Sequence, residues 1–289
     1  MPAGQLALKP ASREPLPCKI CGGPAALYGV VDFNKSCAEY RGVRLPLSGV
    51  PVDYCRCAAC GFLFTDVFDG WSDEQFKLHI YNGEYLFVDP DYGEKRPRKC
   101  AEMVAALWAQ RKAQTRVLDF GGGNDVLCSV LRAKGFRAAQ TYDPMVPQHA
   151  QPPQGKFDLI TCFEAFEHMH DPSAGIAQMV GCLAETGLVL YSTVVQPAGF
   201  ETCGLDWCYV APRNGHISIF TRKALSIAWA RHGYTNISLT DDLHLAFGKL
   251  PPSLGRLQAH ADAVARGGAA AWETAVMQPA DIVKIFTMQ

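Results

Sequence analysis

The sequence predicts an α/β protein with a doubly wound, largely parallel sheet, preceded by a small cysteine-rich module. The first observation is a strand, a glycine turn and a helix in succession. Val117, Leu118 and Phe120 form a short apolar run, three glycines follow, and apolar residues at helical spacing continue to Gly135. The second observation is a pair of Cys-x-x-Cys knuckles near the N-terminus.

Composition is typical of a folded protein in a reducing compartment. The 289 residues can form one large domain and a small one, and 48% apolar with 19% charged residues exclude a disordered chain. The net charge of −1 argues against a broad nucleic-acid surface, so no nucleic-acid partner is expected. No secretory signal and no membrane-spanning run is evident, which predicts a cytoplasmic protein without a membrane contact.

Changes in composition along the chain predict five segments. We expect a disordered tail (1–14), a zinc-binding module (15–70), a linker or lid (71–93), an α/β core (94–250) and a helical C-terminal extension (251–289). The sequence assigns no role to that extension and predicts no oligomeric state.

The zinc prediction rests on the two knuckles, each followed by glycine. A Cys-x-x-Cys turn delivers two thiolates from one tight loop, and four thiolates complete the tetrahedral shell of a structural Zn²⁺. Cys55 could take the place of the third ligand, and Cys37 is a further candidate. The expected ligands are Cys18, Cys21, Cys57 and Cys60.

The glycine turn predicts a ligand site at the carboxyl end of its strand, where open α/β sheets bind ligands. Gly121 and Gly123 allow positive φ and close approach of a ligand. Asp119 on the strand before them disfavours phosphates and suits a cationic or amine-bearing ligand. The helix begins at Asn124 or Asp125, one of which we expect to be the N-cap.

Further acids follow the next strands. Asp143 ends a strand about 20 positions after the glycines, where a carboxylate commonly binds the two hydroxyls of a ribose. Glu164, Glu167 and His168 follow the strand that ends at Phe163, over the same cleft. A metal site of Glu164, Glu167, His168 and His170 is a minor alternative, with His170 otherwise a solvated turn residue.

Two irregular aromatic segments supply substrate-site candidates. Tyr81 and Tyr85 belong to the predicted lid, or pack in the seam between the domains. The loop after the later strands is polar and aromatic, as functional loops often are. It supplies Trp207, Tyr209, Arg213, Asn214 and His216, with core packing as the alternative role for Trp207.

Residues 94–248 resemble class I S-adenosylmethionine-dependent methyltransferases in the order of these features: the acid-x-Gly-x-Gly loop, Asp143, Glu164 to His168, His216 and a late hairpin. One departure is Asp125, where that family usually has a third glycine. The resemblance implies a Rossmann-like seven-stranded sheet with an antiparallel last strand. It also implies S-adenosylmethionine as cofactor, held by Asp119, Gly121, Gly123, Asp143, Phe163 and Glu164.

With the cysteine module in front, the chain resembles zinc-bearing small-molecule methyltransferases, including the C-methyltransferases of deoxysugar biosynthesis. That resemblance implies that His168 and His216 assist deprotonation and that tyrosines enclose the substrate. Arg213 and Gly215 depart from the C-methyltransferase pattern, so methylation of a hydroxyl is equally open. The expected acceptor is a sugar, a nucleotide sugar or a natural product. A zinc-ribbon RNA methyltransferase, an NAD-dependent enzyme and a non-catalytic interaction protein are the alternatives.

Overall fold

A computed structural model describes residues 14–250 together with Leu254, Ala259 and Asp262. The predicted N-terminal tail and the predicted C-terminal helical extension therefore lie almost wholly outside the described residues. Within them, no helix is long and apolar enough to cross a membrane.

Strands and helices alternate through the second half of the described chain, as the sequence predicts. The strands are β1 (Leu16–Pro17), β2 (Pro24–Asp32), β3 (Pro51–Cys57), β4 (Leu63–Phe64), β5 (Arg116–Phe120), β6 (Ala138–Tyr142), β7 (Phe157–Phe163), β8 (Leu183–Ser192), β9 (Ser218–Ile219), β10 (Thr235–Ser238) and β11 (Leu243–Phe247). The helices are α1 (Asp73–His79), α2 (Tyr85–Val88), α3 (Lys95–Leu107), α4 (Val126–Ala133), α5 (Pro172–Cys182), α6 (Phe200–Cys203) and α7 (Arg222–Ala230).

The main sheet has the strand order β10-β11-β8-β7-β5-β6. β6, β5, β7 and β8 run parallel, and β11 pairs antiparallel with both β8 and β10, so the predicted antiparallel last strand is confirmed. Seven strands were expected, whereas the described residues form six in this sheet. Residues 143–156, between β6 and β7, contain four prolines, which cannot donate to a ladder, and form a short 3-10 turn at Pro147–His149 instead.

The cysteine-rich module forms a second, antiparallel sheet of order β1-β2-β3-β4-β9. The edge strand β9 of this sheet comes from the predicted α/β core. Ser218 lies opposite Phe64, and Ile219 lies opposite Leu63. The rings of Phe62 and Phe220 pack at a tilt with their centroids 4.9 Å apart and extend this contact. A late segment therefore completes the sheet of the N-terminal module and joins it firmly to the core.

Capping residues explain where three of the helices begin. Ser72 precedes α1 and its backbone N–H donates to Gln75 Oε1 (2.9 Å), and the Thr221 hydroxyl accepts from Ala224 N (3.0 Å) at the start of α7. Asp171 likewise accepts from Ala174 N (3.0 Å) at the start of α5.

Three boundaries differ from what the sequence pattern predicts. The amphipathic pattern over residues 94–113 predicts a helix of that length, but α3 ends at Leu107. The lid segment, expected to be irregular, contains the short helix α2. The apolar run after Gly187 predicts a strand from Leu188, but β8 already begins at Leu183, so that glycine lies inside the strand. Tertiary packing decides such ends, because the sequence signal at each of them is weak.

Candidate active site

The four knuckle cysteines meet at one point beside the module's sheet. The Cys18 and Cys60 sulfurs are 3.7 Å apart, the Cys21 and Cys57 sulfurs are 3.5 Å apart, and all four lie within 4.8 Å of one another. A Zn–S distance of about 2.3 Å gives a tetrahedral edge of about 3.8 Å, so the donor set fits Zn²⁺. The backbone N–H of Ile20 and of Gly23 points at the knuckle sulfurs (3.4 Å each), as thiolates require.

The alternative zinc ligands lie elsewhere. Cys55 is in the middle of the β3 ladder, opposite Leu27 and Phe64, whereas Cys57 is at the strand end where the second knuckle turns. The Cys37 sulfur lies 3.8 Å from His216 Nδ1 and is not part of the four-cysteine cluster. The geometry therefore favours Cys57 among the candidates for the third ligand.

The glycine loop wraps around a buried carboxylate. Asp119 is 3% exposed at the end of β5 and accepts a hydrogen bond from the Thr161 hydroxyl (2.6 Å). Gly121 and Gly123 have φ of 74° and 58°, the left-handed region that favours glycine. A Cβ on Gly122 would stand 2.2 Å from Asp119 Oδ2, so only glycine fits there.

The acid after β6 is fixed to the same loop. One oxygen of Asp143 accepts from Gly123 N (2.9 Å), and the other accepts from Met145 N (2.8 Å). Asp125 occupies the N-cap position of α4 with φ 66°, but its carboxylate does not cap the helix. It accepts instead from Thr141 Oγ1 (2.7 Å) and pairs with Arg132.

Burial makes the carboxylates of this cleft hard to ionise. It raises the pKa of Asp119 from an ordinary 3.8 to about 7, against the opposing effect of the Thr161 hydrogen bond. Burial, and then the charge of Glu167, raise the pKa of Glu164 to about 7. Glu164 accepts from the Ser192 hydroxyl (2.7 Å) and has a positive φ of 51°, a strained conformation that is common at functional sites.

Both predicted and newly found residues line one cleft above the sheet. The predicted donor-site residues Asp119, Gly121, Gly123, Phe163 and Glu164 all line it. Tyr92 and Arg96 also line it, although the sequence analysis did not select them. Arg96 makes a two-bond ion pair with Asp89 (2.8 and 2.9 Å). Arg96 and Cys100, four residues apart on α3, both line the cleft. That i, i+4 spacing on one helix face is the sequence signal that could have identified Arg96.

The two candidate catalytic histidines come together, although they are far apart in the sequence. The ring centroids of His168 and His216 are 5.1 Å apart. His168 Nδ1 is 3.0 Å from the Gly215 carbonyl oxygen, and His216 Nδ1 is 2.9 Å from the Tyr209 carbonyl oxygen. Burial lowers the pKa of His168 to about 4 and that of His216 well below its usual value, so both imidazoles are neutral at pH 7.

Tyrosines surround this pair. The Tyr81 ring lies 5.9 Å from that of His168 and 5.1 Å from that of Tyr85. Tyr209 packs on His216 with centroids 4.3 Å apart, and its hydroxyl donates to Glu167 Oε1 (2.8 Å). Glu167, which the sequence places over the ligand cleft without choosing it as a catalytic or donor-binding residue, is fully buried.

The side chains of the other substrate-site candidates are already hydrogen-bonded to, or packed against, other parts of the protein. Arg213 is 5% exposed and donates to the Ile80 carbonyl oxygen (3.0 Å), and Asn214 Oδ1 accepts from Cys37 N (2.8 Å). Trp207 packs between aromatic rings, its centroid 5.1 Å from that of Tyr209. A substrate role for these three residues stays a prediction.

Known proteins share parts of this chain. It is 29% identical over 138 residues to a ubiquinone biosynthesis O-methyltransferase of Xanthomonas oryzae pv. oryzae, a match that covers 45% of this chain and 56% of that protein. It is 28% identical over 117 residues to the protein of the same name from Aromatoleum aromaticum, covering 30% and 48%. The chain thus spans about half the length of these curated relatives.

Among solved structures, an O-methyltransferase family protein from Burkholderia thailandensis superposes with a TM-score of 0.47 at 13% identity, covering 63% of this chain and 64% of that one. The family model of the methyltransferase domain matches residues 92–239, which include the glycine loop, both acids of the cleft and the histidine pair. Since this match spans more than half of the sequence, the chain belongs to the methyltransferase-domain family.

Proposed function

We propose that the protein is an S-adenosylmethionine-dependent methyltransferase that acts on a hydroxyl group of a small molecule. The observation that supports this best is the buried Asp119 carboxylate beneath a loop in which Gly122 has no room for a Cβ. A buried carboxylate at a glycine loop suits a ligand that carries a positive charge and an amine, and family membership agrees with such a donor.

The residues of the cleft fit that donor. Asp119 would receive its amine, Gly121 and Gly123 would leave room for it, and Asp143 would accept its ribose hydroxyls on the lone pairs not taken by backbone N–H groups. Phe163 and Glu164 would line the remaining wall. When bound, S-adenosylmethionine supplies a methyl group on a positively charged sulfur.

The histidine pair would then act on the acceptor. His168 or His216 would take the proton of the acceptor hydroxyl at Nε2, since each Nδ1 faces a backbone carbonyl oxygen. As the oxygen–carbon bond forms, the carbon–sulfur bond breaks and its electron pair stays on sulfur. Catalysis would come mostly from holding the oxygen, the methyl carbon and the sulfur in line. Attack by a carbon atom is the second possibility for the same geometry.

The acceptor we propose is a sugar, a nucleotide sugar or a natural product. The Tyr81 ring beside His168, against which Tyr85 packs, supports a cyclic substrate, since the apolar face of a ring packs well on an aromatic side chain. Arg213 would hold an anionic group if the lid opens its present contacts with Ile80 and Asn82. The four thiolates of the module would bind a structural Zn²⁺, with no ligand position left for chemistry.

The test is isothermal titration of the purified protein with S-adenosylhomocysteine, with zinc measured on the same sample and NAD as the comparison ligand. We expect S-adenosylhomocysteine to bind in the micromolar range, one zinc per chain and no NAD binding. A protein that retains zinc but does not bind S-adenosylhomocysteine would contradict the proposal, and NAD binding would support the NAD-dependent alternative.

A further inference from the structure

Three side chains beside the donor cleft, separate from the cysteines, bring atoms that can ligate a metal ion close together. One ligand atom each of Glu167, His168 and His216 lies within 4.8 Å of the other two. Ligands on adjacent positions of a first-row ion lie about 3 Å apart at metal–ligand distances of about 2.1 Å, and opposite ones about 4.2 Å. Small side-chain rotations would therefore bring all three onto one ion.

Hydrogen bonds orient both imidazoles for metal binding. A carbonyl oxygen can only accept, so His168 Nδ1 must donate to Gly215 O, and His216 Nδ1 must donate to Tyr209 O. In a neutral ring this leaves the lone pair on Nε2. Metal-bound histidines almost always show this pattern, with the other nitrogen held by a backbone carbonyl or a carboxylate.

Glu167 provides the second, independent observation. Its residue is 0% exposed, and its Oε2 atom is buried without a hydrogen-bond partner. A buried carboxylate oxygen left unpaired costs several kcal/mol unless something binds it. The other oxygen, Oε1, accepts from the Tyr209 hydroxyl (2.8 Å), which fixes the plane of the carboxylate. The structure thus combines a buried carboxylate that has an unpartnered oxygen with two histidines, one ligand atom of each residue lying within 4.8 Å of the others.

We propose that Glu167, His168 and His216 bind a divalent first-row cation such as Mn²⁺, Fe²⁺ or Co²⁺. One carboxylate and two imidazoles suit these ions, whereas the four-thiolate site selects Zn²⁺. Three protein ligands leave open positions on the ion. This step rests on the proposed methyl-transfer function: the open positions would bind the oxygen of the acceptor. An acceptor with two neighbouring hydroxyls would bind better than one with a single hydroxyl.

This site differs from the metal alternative that the sequence suggested. Glu164 accepts a hydrogen bond from the Ser192 hydroxyl. The His170 side chain is exposed, and the backbone carbonyl oxygen of His170 accepts from Lys19 (3.0 Å). His216 takes their place, from a loop distant in sequence. A cation here would also change the chemistry, since it would lower the pKa of a bound hydroxyl and the histidines would act as ligands instead of bases.

The experiment uses the full chain with zinc retained in the cysteine site and weakly bound metals removed by dialysis against a mild chelator. Mn²⁺ is then titrated in, and free Mn²⁺ is followed by electron paramagnetic resonance. A parallel titration uses Co²⁺, whose intense sulfur charge-transfer bands would reveal any ion that had entered the thiolate site. We expect one Mn²⁺ or Co²⁺ per chain, without those bands.

Four variants decide whether the ion is at the proposed site. Glu167→Gln, His168→Gln and His216→Gln should each weaken binding at least about tenfold. His170→Gln is the matched control and should bind like the wild type. Zinc content and S-adenosylhomocysteine binding show whether each variant is folded. Neither measurement requires methyl transfer, so metal binding can be judged separately from the proposed activity. Absence of saturable binding of both ions, or equal binding by folded Glu167→Gln and His216→Gln proteins, would overturn the proposal.

Discussion

Asp119→Asn should stabilise the ligand-free protein at alkaline pH while it weakens donor binding. The folded-state pKa of Asp119, about 7, is higher than the ordinary 3.8, so the unfolded chain loses this proton first as the pH rises. Its carboxyl group therefore lowers the free energy of unfolding progressively from about pH 4 to pH 7, and the loss is constant above that. The asparagine has no proton to lose and escapes this cost.

The size of the effect follows from the two pKa values. With 1.36 kcal/mol per pKa unit, the cost of Asp119 is about 1.7 kcal/mol at pH 5 and about 4.3 kcal/mol at pH 8. Relative to the wild type, the variant should therefore gain about 2.5 kcal/mol between these pH values. Because the side chain is only 3% exposed, screening by water does not reduce this figure strongly.

The assay is urea unfolding followed by tryptophan fluorescence at pH 5 and pH 8. Asp158→Asn removes an exposed carboxylate from the neighbouring strand β7 and is the matched control. In the wild type, affinity for S-adenosylhomocysteine should rise from pH 6 to pH 8, because the amine of the ligand favours the ionised carboxylate. A stability difference between Asp119→Asn and wild type that is the same at both pH values would refute the reasoning.

Three further predictions concern the zinc site, the glycine loop and the lid. Cys57→Ser should lose zinc and much of its thermal stability, whereas Cys55→Ser should keep one zinc per chain, as measured by atomic absorption. Gly122→Ala should abolish S-adenosylhomocysteine binding, because its Cβ would stand 2.2 Å from a buried carboxylate oxygen. The control is Gly181→Ala in α5, where no atom lies within 4 Å of the new Cβ. This variant should bind normally and gain up to about 1 kcal/mol in the free energy of unfolding. Arg213→Ala should raise the KM for an anionic acceptor at least about tenfold, since it removes the proposed charge-assisted bonds; an unchanged KM with a lower melting temperature would assign the residue a purely structural role.

The sequence predicts the cleft at the glycine loop because its signals are local. A buried strand, a glycine turn and an amphipathic helix are each set by neighbouring residues, and parallel strands place their carboxyl ends at one edge of the sheet. Asp119, Gly121, Gly123, Phe163 and Glu164 accordingly line one cleft. The zinc knuckles are equally local, since each pair of thiolates comes from one turn.

Predictions at the edge of the sheet and at the helix ends were weaker. The family resemblance led us to expect seven strands, but the prolines between β6 and β7 remove the backbone donors that another strand would need. The short strand β9 has no sequence signal of its own, because two residues carry no periodicity. It exists because Ser218 and Ile219 pair with β4 across the contact between module and core.

The sequence by itself determined the class of fold and the position of the glycine loop. Only the tertiary structure decided how those residues act together. It raised the pKa of Asp119 by burial, brought the rings of two histidines that are distant in sequence to within 5.1 Å of each other, and left one oxygen of Glu167 without a hydrogen-bond partner. Local pattern is set by backbone preferences over a few residues, whereas burial and side-chain contacts depend on segments that meet only when the chain has folded.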